Sequence, residues 1–267
     1  MDDSRLAFLG LEGLRRLREL RVVVIGAGGS GSHIVQQLAH LRVQSIVSVD
    51  PDVLERSNVN RVVLSSYNLV GSPKAEILER RLRGLRTDIE PIVDRVETAD
   101  AIAAVQSADI CFGAVDHWGT RNLIEYFARM ALVPVIDVGM QITLGHDGRG
   151  APIASAGGQV VTSLPAGACF RCMGFLTEEL LTRERVDYAG GNANFVQQVI
   201  SINGVLASQA VTNMLGLFAG FAGPAGVGRY ISYNALTQSM SGHPNLIGID
   251  LDSCEHYHLE DAGLRPA

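Results

Sequence analysis

The sequence predicts an α/β fold, a mostly parallel sheet with helices on both faces, extended by antiparallel strands toward the C-terminus. Three observations carry that expectation. Short continuous apolar runs, such as 21–25 and 109–115, suit strands buried on both faces. Through residue 138 these runs alternate with helically periodic segments, as strand–helix–strand units of a parallel sheet do. After Gly139 the alternation gives way to short, glycine-punctuated segments, the pattern of antiparallel strands and loops.

In chain order, Leu11–Leu20 reads as a short helix and Arg21-Val-Val-Val-Ile25 as the first strand. Gly26-Ala-Gly-Gly-Ser-Gly31 follows, then a helix over Ser32–Leu41 and a strand over Ser45–Val49, with Asp50 at its end. Lys74–Arg83 is a predicted helix, Asp88–Val93 a strand, Asp100–Val105 a helix, and Asp109–Val115 a strand with Asp116 at its exit. Arg121–Ala131 and Val133–Val138 complete the alternating half. Residues 140–165 read as antiparallel strands or loops, and 173–194 as a polar stretch rich in Gly and Asn. Phe195–Ala219 is the long helix; Gln197, Gln198, Asn203, Gln209 and Asn213 interrupt its apolar character, so a buried helix is expected rather than a membrane span. Gln197, Gln198, Asn203 and Gln209 suit either hydrogen bonding at a dimer interface or a polar stripe on a core helix. Tyr230–Leu251 suggests two or three further strands. With no internal repeat or linker, one continuous domain is expected.

Composition bounds the function. The 267 residues include 22 Lys+Arg and 28 Asp+Glu, a net charge of −6, and 47% are hydrophobic. A disordered chain would be poorer in apolar residues, and this length can bury a core without disulfides. The acidic balance argues against a non-specific nucleic-acid binder, which needs a basic face. The start, MDDSRLAFLG, lacks the basic residues and long apolar core of a signal peptide. Four cysteines in a chain of this length do not make a disulfide scaffold. A soluble, cytoplasmic protein without membrane contact is expected.

Two constellations carry chemistry. Gly26, Gly28 and Gly31 form G-x-G-x-x-G between a strand and a helix, the context of a Rossmann-like nucleotide site. Such glycines let backbone approach a phosphate, and the helix N-terminus offers unpaired N–H groups. Asp50, at the end of the second strand, suits a pair of ribose hydroxyls. Alone, this fits an NAD-dependent oxidoreductase equally well. The second constellation is Asp50, Asp52, Asn58, Arg61 and Lys74, all near one strand end. Each alone would read as part of a solvated loop. Together they suit a triphosphate, whose charge must be offset as pyrophosphate leaves. Of the remaining polar residues, His33 reads as a helix-face residue, and His117 and Trp118 as helix-start packing in preference to pocket lining.

The segments Gly26-Ala-Gly-Gly-Ser-Gly-Ser32, Val49-Asp-Pro-Asp52, Ser57-Asn-Val-Asn-Arg61, Gly71-Ser-Pro-Lys74, Ala114-Val-Asp116 and Cys169-Phe-Arg-Cys172 fall in that order. The ordered set resembles the ThiF/MoeB/HesA adenylyltransferases, relatives of ubiquitin-activating enzymes, over roughly residues 4–258. The resemblance implies a single adenylation domain over 1–267, with a nucleotide-binding half at 1–138 and a substrate-binding and dimerisation half at 139–267. It implies ATP and Mg²⁺ as cofactors and, as substrate, the C-terminal glycine carboxylate of a small ubiquitin-like protein. Carried over, Asp50 holds the ribose, and the backbone around Gly28 and Gly29 approaches the phosphates. Asn58, Arg61 and Lys74 contact the phosphates, Arg61 and Lys74 stabilise the transition state, and Asp116 holds Mg²⁺. Arg5 stands where the family places an arginine that reaches the neighbouring subunit's site in a homodimer, although the motif around it is degraded. A C-terminal carboxylate is ionised at neutral pH, with an ordinary pKa of about 3.5, so no general base is required.

Cys169-x-x-Cys172 is half of a tetrahedral thiolate site for structural zinc. The family supplies a second C-x-x-C near the C-terminus, where this chain has Cys254-Glu-His-Tyr257; Cys254 plus His256 or His258 would complete a Cys₃His site. Cys111 reads as a small buried hydrophobe. Residues 173–253 contain no cysteine, whereas many relatives carry one there for thioester or persulfide chemistry. The chain is therefore expected to stop at the acyl-adenylate, with a thiol, sulfur or amine donor collecting the activated group. The competing expectations are the same fold adenylating a peptide C-terminus or a modified tRNA base, an NAD-dependent oxidoreductase, and an inactive docking subunit.

Overall fold

A computed structural model of the chain describes residues 4–145, 153–189, 197–223 and 226–258. A 3-10 turn at Ser4–Leu9 leads into α1 (Gly10–Glu19), β1 (Arg21–Ile25), α2 (Gly29–Leu41), β2 (Ser45–Val49), α3 (Lys74–Leu82), β3 (Asp88–Ile92), α4 (Ala99–Ser107), β4 (Ile110–Gly113), α5 (Trp118–Met130) and β5 (Val135–Leu144). The second half contributes β6 (Ile153–Ser163), α6 (Glu178–Ala189), α7 (Ile200–Phe218), β7 (Tyr230–Asn234) and β8 (Ser239–Gly242). The sheet order is β3-β2-β1-β4-β5-β6-β7-β8. Its first five strands are parallel, and the last three join antiparallel.

The predicted fold class and the order of the predicted strands and helices hold, with one unpredicted helix, α6, inside the expected polar stretch 173–194; the boundaries differ for identifiable reasons. The helix expected from Ser32 begins at Gly29, because the glycine loop itself turns into the first helical residues. The helix expected from Arg121 starts at Trp118, where the Glu184 carboxylate accepts the backbone N–H groups of Trp118 and Gly119 at 2.9 and 2.8 Å. β5 continues to Leu144, well beyond the expected Val138, because β6 pairs along its whole length. The long helix begins at Ile200: Gln197–Val199 precede it in non-helical conformation, and Phe195 and Val196 lie outside the described residues, as do 190–194 of the polar stretch.

Two apolar layers sandwich the sheet. On one face α2 and α7 pack with Val22, Val24 and Phe112. On the other, Val23, Ile25 and Cys111 meet Ile124 of α5, with Phe170 and Phe175 beyond. Each fully buried Leu, Ile or Phe contributes roughly 1.5–3 kcal/mol. Cys111 is wholly buried, as expected of a small hydrophobe. No helix among the described residues is long and apolar enough to cross a membrane.

Candidate active site

In an open parallel sheet, a ligand crevice forms where neighbouring strands send their connections to opposite faces. Here that point lies between β1 and β4. The β1 exit is the glycine loop, and the β4 exit is Ala114–Asp116. Ala114 N–H donates to Ile25 at 2.8 Å and ties the two exits together, while Gly26 N–H donates to Val49 at 2.8 Å and ties the glycine loop to the end of β2. Gly26 adopts φ +97, a conformation that favours glycine, and a Cβ at Gly31 would collide with the Gly26 carbonyl. Those two positions need glycine to close the turn, whereas Gly28 has open space and stands at the N-cap of α2, where unpaired N–H groups suit an anion.

The cleft in front of this turn is lined by Gly28, Gly29, Ser30, Asn58, Arg61, Lys74, Asp116, Gln198 and Asn203, with Val62, Ala114, Val138 and Met140 as its apolar portion. Thus the predicted phosphate contacts Asn58, Arg61 and Lys74 and the predicted cation ligand Asp116 converge on the glycine loop. A larger groove of about 760 Å³ lies along β3 and α4, but its lining includes Glu90, Asp94 and Asp100 and no Lys or Arg, so it offers nothing to a phosphate.

Local interactions pre-position the cationic side. Asn58 is buried and holds a 3-10 turn with Glu55, whose N–H it accepts at 3.3 Å. Arg61 donates to the Ser57 carbonyl at 2.7 Å. Lys74 opens α3, and its ammonium donates to Asp52 at 2.8 Å; the lysine side chain is 11% exposed, the aspartate's 65%. Asp52 therefore restrains Lys74 and is not itself among the cleft's lining residues. Asp50 is buried, and its carboxylate accepts the Ala27 N–H at 2.6 Å and the Asp52 N–H at 2.8 Å, tying β2 to the glycine loop. Burial raises its pKa, and the Lys74 charge pulls it back down.

Arg5 is exposed on the N-terminal 3-10 turn and does not line its own chain's cleft. His117 is exposed, and Trp118 packs edge-on against Phe175, so these two serve the start of α5. His33 is half-buried, and burial lowers its pKa.

Sequence reasoning missed two buried ion pairs. Arg121 on α5 pairs with Asp137 in β5 and donates to the Val115 carbonyl at 2.6 Å, bracing the strand that delivers Asp116. Burial pushes the Asp137 carboxyl up, and Arg121 offsets part of that shift. The signal was present: a carboxylate inside an otherwise apolar strand. One helical turn further, Glu125 and Arg129 form a second buried pair.

That second pair stands behind the cysteine cluster. Glu125 accepts the Phe170 N–H at 2.8 Å and the Ser163 hydroxyl at 2.6 Å, and Arg129 donates to the Gly167 carbonyl at 2.8 Å. In front of it, Cys169, Cys172, Cys254 and His256 bring their donor atoms within 4.8 Å of one another. The sulfurs of Cys169–Cys172 and Cys172–Cys254 are 3.6 and 3.8 Å apart, and His256 Nδ1 lies 3.6 and 3.3 Å from Cys169 and Cys172. Zinc–sulfur bonds of about 2.3 Å at tetrahedral angles set sulfurs about 3.8 Å apart, so this donor set fits a tetrahedral zinc. The alternative fourth ligand, His258, is not part of the cluster. The chain bends at Glu255 and His256, and it is position 256 that returns to the sulfurs.

Comparison with known proteins places this architecture. The family described as "ThiF family" matches residues 2–246. The SAMP-activating enzyme E1 of Haloferax volcanii is 38% identical over 167 residues, covering 62% of this chain and 57% of that protein. The sulfur carrier protein adenylyltransferase of Thermus thermophilus is 33% identical over 48% of each chain. The present chain thus spans about half the length of those two relatives. The molybdopterin-synthase adenylyltransferase of Escherichia coli is 27% identical over 85% of this chain and 83% of its own. Among solved structures, Escherichia coli MccB with ATP has the same fold, with a TM-score of 0.72 at 18% identity, over 93% of this chain and 69% of that one. By its sequence match over nearly all its length and by its fold, this chain belongs to the ThiF family.

Proposed function

We propose that the chain is an ATP- and Mg²⁺-dependent adenylyltransferase that activates the C-terminal carboxylate of a small ubiquitin-like protein. The carrying observation is the convergence of Asn58, Arg61, Lys74 and Asp116 on the glycine-loop cleft in a member of this family. A carboxylate oxygen of the partner attacks the α-phosphorus of ATP, the bond to the β-phosphate oxygen breaks, and acyl-adenylate and pyrophosphate result. Lys74 and Arg61 stabilise the charge that builds as pyrophosphate departs. The attacking carboxylate is already ionised, so the cleft's task is alignment and charge, not proton removal. Asp116 is an exposed carboxylate at the cleft, a hard oxygen donor of the kind that holds Mg²⁺ beside phosphates. Bound there, Mg²⁺ would neutralise phosphate charge.

In this reading zinc is structural, held by Cys169, Cys172, Cys254 and His256, and clamps the C-terminal segment onto the start of the second half. Arg5 extends from its exposed turn toward the neighbouring subunit's cleft in a homodimer. With no cysteine in 173–253, a separate thiol, sulfur or amine donor receives the activated group. An NAD-dependent oxidoreductase leaves the Arg61, Lys74 and Asp116 cluster without a task, and an inactive docking subunit has no need of it.

The test is ATP–pyrophosphate exchange with radiolabelled pyrophosphate and small ubiquitin-fold proteins. Exchange that depends on a free C-terminal glycine is the expected result. ATP binding without exchange by any such partner would redirect the reading to a peptide C-terminus or a modified tRNA base, and no ATP binding at all would end it.

A further inference from the structure

Three side chains join the two walls of the cleft. Ser30 on α2 donates its hydroxyl to Asn203 Oδ1 at 3.0 Å. Asn203 Nδ2 donates to Gln198 Oε1 at 3.5 Å. Gln198 Nε2 in turn donates to both carboxylate oxygens of Asp116, at 3.3 and 3.5 Å. Asn203 is completely buried, and it leans so closely on the glycine loop that a Cβ at Gly29 would collide with its amide.

Asp116 sets the direction of the relay. A carboxylate only accepts, so Gln198 presents N–H to it, Gln198 Oε1 accepts from Asn203, and Asn203 Oδ1 accepts from Ser30. Gln198 then has only N–H to offer Asp116. That N–H straddles both oxygens of the carboxylate, so a cation held there would have to share Asp116 with it. A cation and an N–H donor repel each other, so the two compete for Asp116. Turning the Gln198 oxygen to the cation requires the Asn203 amide and the Ser30 hydroxyl to reverse together with it.

We propose that Gln198 is a cation-gated donor: a divalent cation on Asp116 releases its N–H, which then donates to a phosphate oxygen of the nucleotide in the same cleft. Gln198 thereby makes nucleotide affinity depend on the cation through a residue that touches both. This rests on the nucleotide reading above and adds to it a binding residue outside the cationic set.

The competition gives two effects of opposite sign. In Gln198→Ala, the Mg²⁺ concentration for half-maximal effect on ATP binding should fall, because a competitor is gone. ATP affinity at saturating Mg²⁺ should also fall, because a donor is lost. Each change should be on the order of fivefold, the worth of one net hydrogen bond. Calorimetric titration of ATP into wild-type and variant protein, at a series of Mg²⁺ concentrations and with no divalent cation, measures both. Gln198→Glu, which puts a second carboxylate beside Asp116, should move both in the same directions and further. If both quantities weaken together, or neither moves while wild type binds ATP normally, the gating role is overturned and the nucleotide reading stands. If wild type binds no ATP, both fail. If Gln198→Ala binds ATP as wild type does and loses only partner-dependent pyrophosphate exchange, the N–H serves the incoming carboxylate and the phosphate assignment is wrong.

Discussion

The glycine-loop cleft and the Cys/His cluster are assembled by opposite means. The cleft is delivered by the sheet: the connections after β1 and β4 bring Gly28 and Asp116 to one edge, Asp50 at the end of β2 holds the glycine loop from behind, and the loop after β2 and the start of α3 add Arg61 and Lys74. Its charges are partly solvated and loosely paired, as with the largely exposed Asp52 against Lys74. The cluster instead joins residues 87 positions apart, Cys169 and His256, where no strand pairing brings the segments together. Its support is buried and stiff: Glu125 and Arg129 are both almost inaccessible. The difference teaches that a site for a passing substrate can rest on the geometry of strand ends. A site that fastens distant chain segments needs strong donors and a braced backbone.

Ways of breaking this contrast run from all-or-none to marginal. Cys254→Ser should take zinc from about one per chain to near none in elemental analysis of freshly purified protein, because a three-ligand remnant is not a closed structural site. His258→Ala should leave one zinc in place, which separates the cluster from its neighbour. Lys74→Ala should lower pyrophosphate exchange by about 10²–10³-fold, the usual loss for a group that stabilises transition-state charge. Its melting temperature should also fall, because the buried Asp50 carboxylate loses the charge that offsets its burial. Full retained exchange would remove Lys74 from its assigned role.

Arg129→Met should cost stability, about 3–5 kcal/mol in denaturant unfolding, because Glu125 is left as an uncompensated buried carboxylate. Its zinc affinity, read by chelator competition, should fall as well, since Arg129 also holds the Gly167 carbonyl just before Cys169. Asp52→Asn should give the smallest effect, at most about 1 kcal/mol in stability, with a modest change in exchange as Lys74 loses its restraint.

How much of this was legible varies by residue, and physics explains the variation. Arg21–Ile25 and Ser45–Val49 were readable to the residue: the first is a nearly unbroken apolar run, as a strand buried on both faces leaves, and the second is a short β-branched run that ends at an acidic residue. Asn58, Arg61 and Asp116 were readable as loop residues past strand ends that the topology carries to one edge, and Lys74 as the first residue of the next predicted helix. The Arg121–Asp137 and Glu125–Arg129 pairs were not. On α5 their charges at helical spacing look like a solvated face, and only the packing of α5 against β5 and the 163–170 segment buries them. Gln198 and Asn203 looked like either interface amides or a core stripe, and the structure places them in the cleft's far wall.

The sequence by itself determined the parallel sheet, the glycine turn, the cationic set and the family, because these depend on local periodicity and on residues close to their strands. Only the tertiary structure decided that His256 and not His258 joins the cysteines, that Asn203 sits under the glycine loop, and that Asp116 is tied to Gln198. Those contacts join segments 82 to 173 residues apart. Which polar atoms meet across such a span is set by how α7 and the C-terminal strands dock on the sheet, and a one-dimensional pattern carries no record of that docking.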